Sequence, residues 1–177
     1  MTSTYRTARG PEGARVNLSR IVHEKAEQSA AELRFRWVGV PDAPGSYQQL
    51  RGAFEHSTRT GEPLPVSNLY CEDTIYLEPG DNIAFRFWHD TSHCRLGLSF
   101  SLADEWELTL WHLAQLEPLG LGPATREYQM LRLDLLGQVI LLGIAGRFPF
   151  NQGEFTKTLV KHGLDAGILE ELRRVAS

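Results

Sequence analysis

Apolar and polar positions follow the period of an α-helix along most of the chain, so the pattern predicts a mostly helical protein. Several of the periodic stretches begin at a capping pair of the Ser-x-x-Gln, Ser-x-x-Asp or Asn-x-x-Glu kind, and Gly- and Pro-containing segments separate them. Six or seven helices with short connections predict an all-α fold, a single compact helical globule. The predicted helices span residues 18–37, 46–58, 81–96, 102–117, 124–145, 151–163 and 164–175.

Two stretches fall outside this pattern. Residues 1–16 are polar and contain Gly and Pro, so we expect a flexible N-terminal tail before a single helical domain over residues 17–177. Residues 67–77 fit either a strand or an irregular helix. The helix is favoured because no neighbouring segment offers a partner strand.

Composition narrows the class of protein. With 177 residues and a net charge of -4, the chain lacks the basic character of a dedicated nucleic-acid binder. Cys71 and Cys94 have no CxxC spacing, which is typical of a reducing compartment. The N-terminus lacks the apolar core of a signal peptide, and the apolar run over 131–145 is too short to span a bilayer. We therefore expect a cytoplasmic protein without a membrane partner.

The helix predicted over 81–96 carries a polar stripe with two histidines. His89 and His93 stand at i and i+4 and so lie above one another, and Arg86 and Asp90 fill the same arc. Apolar positions flank the stripe on both sides, and the solvent face is expected near Ser92 and Arg95. Because such groups cannot be buried without partners, the stripe predicts either a metal site or a network of internal ion pairs.

A second polar stripe lies on the helix predicted over 124–145, which is apolar on nearly every side and therefore central and buried. Glu127, Asp134 and Gln138 fall within about 40° of one another on this helix. A buried carboxylate requires a compensating partner. The alternatives are an ion pair from Asp134 to an arginine of another helix, such as Arg86, or a metal ion or metal-ligating histidine.

Further candidate ligands occur on two other helices. Glu105 and His112 coincide at the edge of an apolar face that includes Leu102 and Trp106, so they are either half-exposed or members of a ligand set. His56 points away from the apolar stripe of its own helix.

Taken in chain order, His56, the pair His89-Asp90 and Asp134 resemble the H…HD…D pattern of the HD-domain metal-dependent phosphohydrolases, over roughly residues 46–145. The resemblance implies an all-α, HD-domain-like fold with a divalent metal ion (Zn, Mn, Fe or Mg). It also implies a small phosphorylated substrate such as a nucleotide. The ion activates water for attack on phosphorus.

The candidate residues divide among three roles. The resemblance implies His56, His89, Asp90 and Asp134 as metal ligands, and the positions of His93 and His112 on their helices add them to this set. Asp90 and Arg86 are the catalytic candidates, with Arg86 steadying the phosphate. The substrate-binding candidates are Arg86, Glu105, Glu127 and Gln138.

A different class of function is also compatible with the stripes. In this alternative they form a buried ion-pair network in a non-catalytic protein that binds a protein partner through exposed tryptophans. The WHDxxH stretch and the later Asp-Leu-Leu-Gly-Gln also resemble small helical proteins of phages and mobile elements. A ferritin-like di-metal bundle fits less well, because the chain lacks that class's Glu-x-x-His spacing.

Overall fold

A computed structural model describes residues 5–174, and over these residues the fold is mainly helical, as the pattern predicts. Residues 1–4 of the expected tail and the expected end of the last helix at Val175 lie outside the described residues. Seven α-helices, a 3₁₀ turn and two short strands are present in this range. They are α1 (Pro11–Leu33), β1 (Trp37–Val40), α2 (Tyr47–Thr60), β2 (Leu64–Ser67), α3 (Pro79–Leu96), α4 (Leu102–Ala114), the 3₁₀ turn (Glu117–Leu119), α5 (Arg126–Ala145), α6 (Gln152–His162) and α7 (Leu164–Arg173).

The chain divides into two compact units. The terminal unit comprises residues 1–18, 73–77 and 109–177, and the central unit comprises residues 19–72 and 78–108. Two of the boundaries fall inside helices α1 and α4. No Gly- or Pro-rich linker marks these two, so the hydropathy pattern gives no sign of the division.

In the central unit, β1 and β2 pair in parallel, with Trp37 opposite Leu64. Parallel neighbours require a crossover connection, and α2 supplies it. Helix α3 packs on this strand pair, where Phe87 stacks on Trp37 with ring centroids 4.7 Å apart. The buried core of the unit consists of Ala26, Ala30, Phe35, Leu50, Leu64, Val66, Ala84 and Phe87.

The irregular helix expected over residues 67–77 is wrong. Strand β2 ends at Ser67, and residues 68–78 form turns and bends, with Tyr70 in the left-handed region at φ 56°. The missing partner strand is β1, which the helical pattern assigned to the first helix and the loop after it. A four-residue strand is too short to show its own periodicity, and its pairing is non-local.

Helix α1 also differs from its expected bounds. It begins at Pro11, so residues 11–16 of the expected tail are helical. Proline suits the first position of a helix because its missing N–H would lack an intrahelical acceptor there. The helix ends at Leu33, because Arg34 takes a left-handed conformation with φ 63°.

In the terminal unit, α5 packs against α6 and α7 around a core of Leu141, Phe155, Leu159 and Ile168. Thr125 caps the start of α5 through the N–H of Tyr128, and Gly146 ends it at φ 66°. By length and composition alone, α5 qualifies as a membrane-spanning helix, as do core helices of soluble proteins. It carries the fully buried carboxylates of Glu127 and Asp134.

Candidate metal centre

Three potential metal ligands meet in the central unit: His89 and His93 of α3, and Glu105 of α4. Across residues 5–174 they are the one group of three His, Cys, Asp or Glu side chains whose ligand atoms all lie within 4.8 Å of one another. The two Nε2 atoms are 3.0 Å apart. Glu105 places Oε2 3.6 Å from Nε2 of His89 and Oε1 3.4 Å from Nε2 of His93.

These separations match the edges of a coordination polyhedron. Two ligands bound at about 2.1 Å are about 3.0 Å apart at a right angle and about 3.4 Å apart at the tetrahedral angle. The 3.0 Å between the two imidazoles and the 3.4 Å from His93 to Oε1 of Glu105 fall in this range, whereas the 3.6 Å from His89 is measured to the other oxygen of Glu105, Oε2. With one ligand atom from each residue, the three side chains lie within 4.8 Å of one another, close enough to share one ion after small side-chain movements.

The local fold explains why the three side chains meet. The i and i+4 spacing puts His89 above His93 on one face of α3. Gly97 ends α3 in a left-handed conformation at φ 71°, and α4 starts only five residues later. The short turn between α3 and α4 brings the first turn of α4, with Glu105, to the two imidazoles.

The backbone at the end of α3 sets the orientation of the His93 ring. Its Nδ1 lies 3.0 Å from the backbone oxygen of Leu98. Because a carbonyl oxygen only accepts, Nδ1 carries the proton, and in the neutral ring the lone pair is on Nε2. A carbonyl that holds the second nitrogen in this way is usual for a metal-ligating histidine.

The centre is buried on one side and reachable from solvent on the other. The side chain of His93 is fully buried, whereas His89 and Glu105 are 20% and 19% exposed. Aromatic rings flank the imidazoles, with Phe85 5.6 Å from His89 and Phe100 4.9 Å from His93 between ring centroids. Of the two apolar walls predicted around the stripe, the one that contains Phe85 and Phe100 therefore contacts the imidazoles.

The carboxylate of Glu105 is stabilised by its two imidazole partners. Burial by itself raises the pKa of this carboxyl, but the hydrogen bonds and charges of His89 and His93 outweigh it and hold the pKa at about 2. An imidazole N–H, or a metal ion bound between the side chains, offsets the repulsion between this carboxylate and the lone pair of His93.

Asp90 and Arg86, the predicted catalytic residues, lie outside this group of three. Loss of hydration raises the pKa of Asp90 to about 6, although the charges of His89, His93 and Arg86 act to lower it. Nη1 of Arg86 donates to the backbone oxygen of Ser67 at 2.8 Å.

The other predicted ligands are placed elsewhere. His56 is half-exposed on α2, as its position on the helix predicts, and its Nε2 lies 2.7 Å from Oε2 of Glu62. His112 is fully buried in the part of α4 that belongs to the terminal unit. Neither His56, His112 nor Asp134 is a member of the group of three.

Asp134 is held by neutral donors of the terminal unit. It accepts from Thr156 Oγ1 at 2.6 Å, from Gln152 Nε2 at 3.0 Å and from Gln138 Nε2 at 3.1 Å. Burial raises the pKa of Asp134 to about 6, and these three hydrogen bonds only partly oppose the rise. The arginine partner expected for this carboxylate is replaced by hydroxyl and amide groups.

The two substrate-binding candidates on α5 form internal contacts. Gln138 donates to Asp134. Glu127, fully buried, accepts from the backbone N–H of Ala8 at 2.9 Å and from Nδ2 of Asn17 at 2.6 Å. The polar stripe predicted on α5 is therefore not one cluster. Asp134 and Gln138 contact each other, and Glu127 forms its hydrogen bonds separately.

Helices α3 and α4 bury faces other than those expected. Ser92, predicted near solvent, is buried and donates its hydroxyl to the backbone oxygen of Trp88 at 2.7 Å. On α4, Leu102 and Trp106 are 45% and 41% exposed, while Thr109 is buried. Glu105 thus belongs to the inward face of α4 and lies with the two histidines, which favours the ligand set over the substrate-binding role among the alternatives that the sequence left open.

Comparison with models of known families, with curated proteins and with solved structures gives no match to this chain. The fold and the site together define a helical protein with a candidate metal centre of two imidazoles and one carboxylate.

Proposed function

We propose that the protein binds one divalent transition-metal ion through His89, His93 and Glu105, and that the ion activates water for hydrolysis. The observation that carries the proposal is the convergence of the three side chains at 3.0 to 3.6 Å, with the His93 lone pair directed by Leu98. Three protein ligands leave a coordination position for water, as in catalytic zinc sites with two histidines and one glutamate.

The ligand types narrow the choice of metal. Two imidazoles and one carboxylate suit zinc or iron, whereas magnesium prefers oxygen ligands and keeps several waters. Among the ions Zn, Mn, Fe and Mg, we therefore favour zinc or iron. An ion held by His89, His93 and Glu105 would supply a water of lowered pKa as the nucleophile.

The choice of a phosphoester as substrate depends on the resemblance to the HD-domain phosphohydrolases, and it stays a prediction. Asp90 and Arg86 stay its catalytic candidates, with Arg86 as the phosphate-binding residue. Both lie on α3 within one turn of His89.

Metal binding is tested with the full chain, purified without chelator and with any affinity tag removed. We expect about one equivalent of metal per chain in the wild type and an affinity at least about 100-fold lower in Glu105→Gln, since removal of an outer-shell partner alone costs 10–100-fold. Glu107→Gln, which alters an exposed carboxylate of the same helix, is the matched control and should bind like the wild type. A wild type that binds no metal, or a Glu105→Gln variant that binds normally, contradicts the proposal.

Hydrolysis is tested separately on the metal-loaded chain with p-nitrophenyl phosphate and bis(p-nitrophenyl) phosphate. We expect release of p-nitrophenol that is lost in Glu105→Gln and kept in Glu107→Gln. Normal metal binding without hydrolysis of either ester would refute the phosphohydrolase activity, and the proposal of a metal site would stand.

A second candidate is the non-catalytic protein that binds a partner. It is favoured by the exposed apolar side chains of α4, Leu102 and Trp106, and it explains the His-Glu contacts as ion pairs of protonated imidazoles. Under this candidate the wild type binds no metal. The metal analysis therefore distinguishes the two.

A further inference from the structure

A hydrogen-bonded clasp closes the turn between α3 and α4. Oδ2 of Asp104 accepts the backbone N–H of Ser99 at 2.9 Å and also the Ser99 hydroxyl. The neighbouring residue, Leu98, supplies the carbonyl oxygen that orients His93. Leu98 is itself held by the end of α3, because its N–H donates to the backbone oxygen of His93 at 3.0 Å. The clasp therefore fixes the start of α4, where Glu105 lies.

Asp104 is fixed through its backbone as well. Its N–H donates to Oγ of Ser101 at 3.2 Å, and the N–H of Glu105 donates to the backbone oxygen of Ser101 at 2.9 Å. The first turn of α4 is thus tied to the preceding turn at two points. Glu105 directly follows Asp104, so its carboxylate takes its position from this arrangement.

We propose that Asp104 is a positioning residue of the metal centre, which holds Glu105 at the two histidines by clasping Ser99. This inference rests on the proposed function, since it presumes that the three side chains bind a metal. Asp104 itself is not among the three grouped ligands and acts through Glu105. A positioning role predicts that loss of the clasp lowers metal affinity about 10- to 100-fold, the range typical of outer-shell partners.

The test measures the zinc affinity of the full chain by competition with a chromophoric chelator. Asp104→Ala removes the clasp, and the same substitution is made in the Glu105→Gln background. Ser46→Ala is the matched control, because it removes the N-cap of α2 in the same unit without touching the α3–α4 turn. Far-UV circular dichroism and the thermal midpoint report whether each variant folds.

We expect Asp104→Ala to lower zinc affinity at least about 10-fold in the wild-type background and less than about 3-fold in the Glu105→Gln background. Loading with Co²⁺ should show a visible spectrum that shifts in Asp104→Ala as it does in Glu105→Gln. Ser46→Ala should keep the wild-type affinity and spectrum.

Equal losses in the two backgrounds, no loss at all, or the same loss in Ser46→Ala would overturn the positioning role. If Asp104→Ala does not fold, Ser99→Ala carries the same comparison, since it removes the hydroxyl half of the clasp. A wild type that binds no zinc refutes the proposed function and this inference with it. A zinc affinity that is unchanged in Asp104→Ala refutes only the positioning role of Asp104.

Discussion

The buried carboxyl of Asp134 should make the protein less stable as the pH rises from 4 to 7. Its pKa is 3.8 in an unfolded chain and about 6 in the fold, so the folded state binds the proton more tightly. Below pH 3.8 both states are protonated and the carboxyl costs nothing. Above pH 6 both states are ionised, and burial penalises the folded one.

The size of the effect follows from the two pKa values. A difference of roughly two units at 1.36 kcal/mol each corresponds to about 3 kcal/mol of unfolding free energy in all. About 2 kcal/mol of it is lost between pH 4 and pH 7, because the unfolded carboxyl is already more than half ionised at pH 4. Asp134 is fully buried and its hydrogen bonds come from neutral groups, so solvent and counter-charges reduce this figure little. Asparagine at this position keeps the shape but cannot ionise.

The assay is urea denaturation of the wild type and Asp134→Asn at four pH values from 4 to 7. We expect the unfolding free energy of the wild type, relative to the variant, to fall by about 2 kcal/mol over this range, because only the wild type acquires the buried charge. Subtraction cancels the titration of all other groups. Asp165→Asn, at an exposed position of the same unit, controls for the loss of one negative charge.

If the difference in unfolding free energy between the wild type and Asp134→Asn stays constant across the pH range, the raised pKa of Asp134 is refuted. A difference that grows in favour of the wild type with rising pH would show that the hydrogen bonds stabilise the carboxylate more than burial penalises it. Thr156→Val removes the shortest of these bonds, at 2.6 Å, and should enlarge the pH-dependent loss.

Two glycine substitutions and one thiol measurement test the packing of each unit. Gly137→Ala should lower the unfolding free energy in urea by about 1–3 kcal/mol, because its new Cβ would collide with Leu159 and crowd Phe155. Gly52→Ala, at an open position of α2, should instead raise the unfolding free energy by up to about 1 kcal/mol. Equal changes in unfolding free energy for the two substitutions would contradict the close packing at Gly137. Burial raises the pKa of Cys94 to about 12, so its thiol at pH 8 should react with DTNB at least about tenfold more slowly in the native chain than in urea.

Most helix positions were predictable because their signals are local. Ser46 and Asn151 accept the N–H three residues later, as their capping pairs predict, and Gly146 ends α5. A cap depends on a few adjacent residues and needs no tertiary contact. The start of α1 carried such a signal too, in Pro11, but the polar composition around it favoured a tail.

The buried face of α4 was not predictable from hydrophobicity, because the rule assigns large apolar residues to the interior. Leu102 and Trp106 are exposed, whereas Glu105 lies inward and Thr109 is buried. The pairing of β1 with β2 was not predicted for a related reason. Its stability comes from a non-local partner and from the core beneath it, and neither is visible in a four-residue window.

The candidate centre was half predictable for the same physical reason. The i and i+4 spacing of His89 and His93 is a property of one helix, so it holds wherever the helix lies. The third ligand depends on the length and closure of the next turn, which chain order alone does not specify. In chain order Asp134 completes the H…HD…D pattern, yet the carboxylate placed within 3.6 Å of the histidines is Glu105, in the first turn of the next helix. The connecting turn is short, so the first turn of α4 lies near the end of α3. For a histidine pair in the last two turns of a helix, acidic residues just after such a turn are therefore the first partners to test.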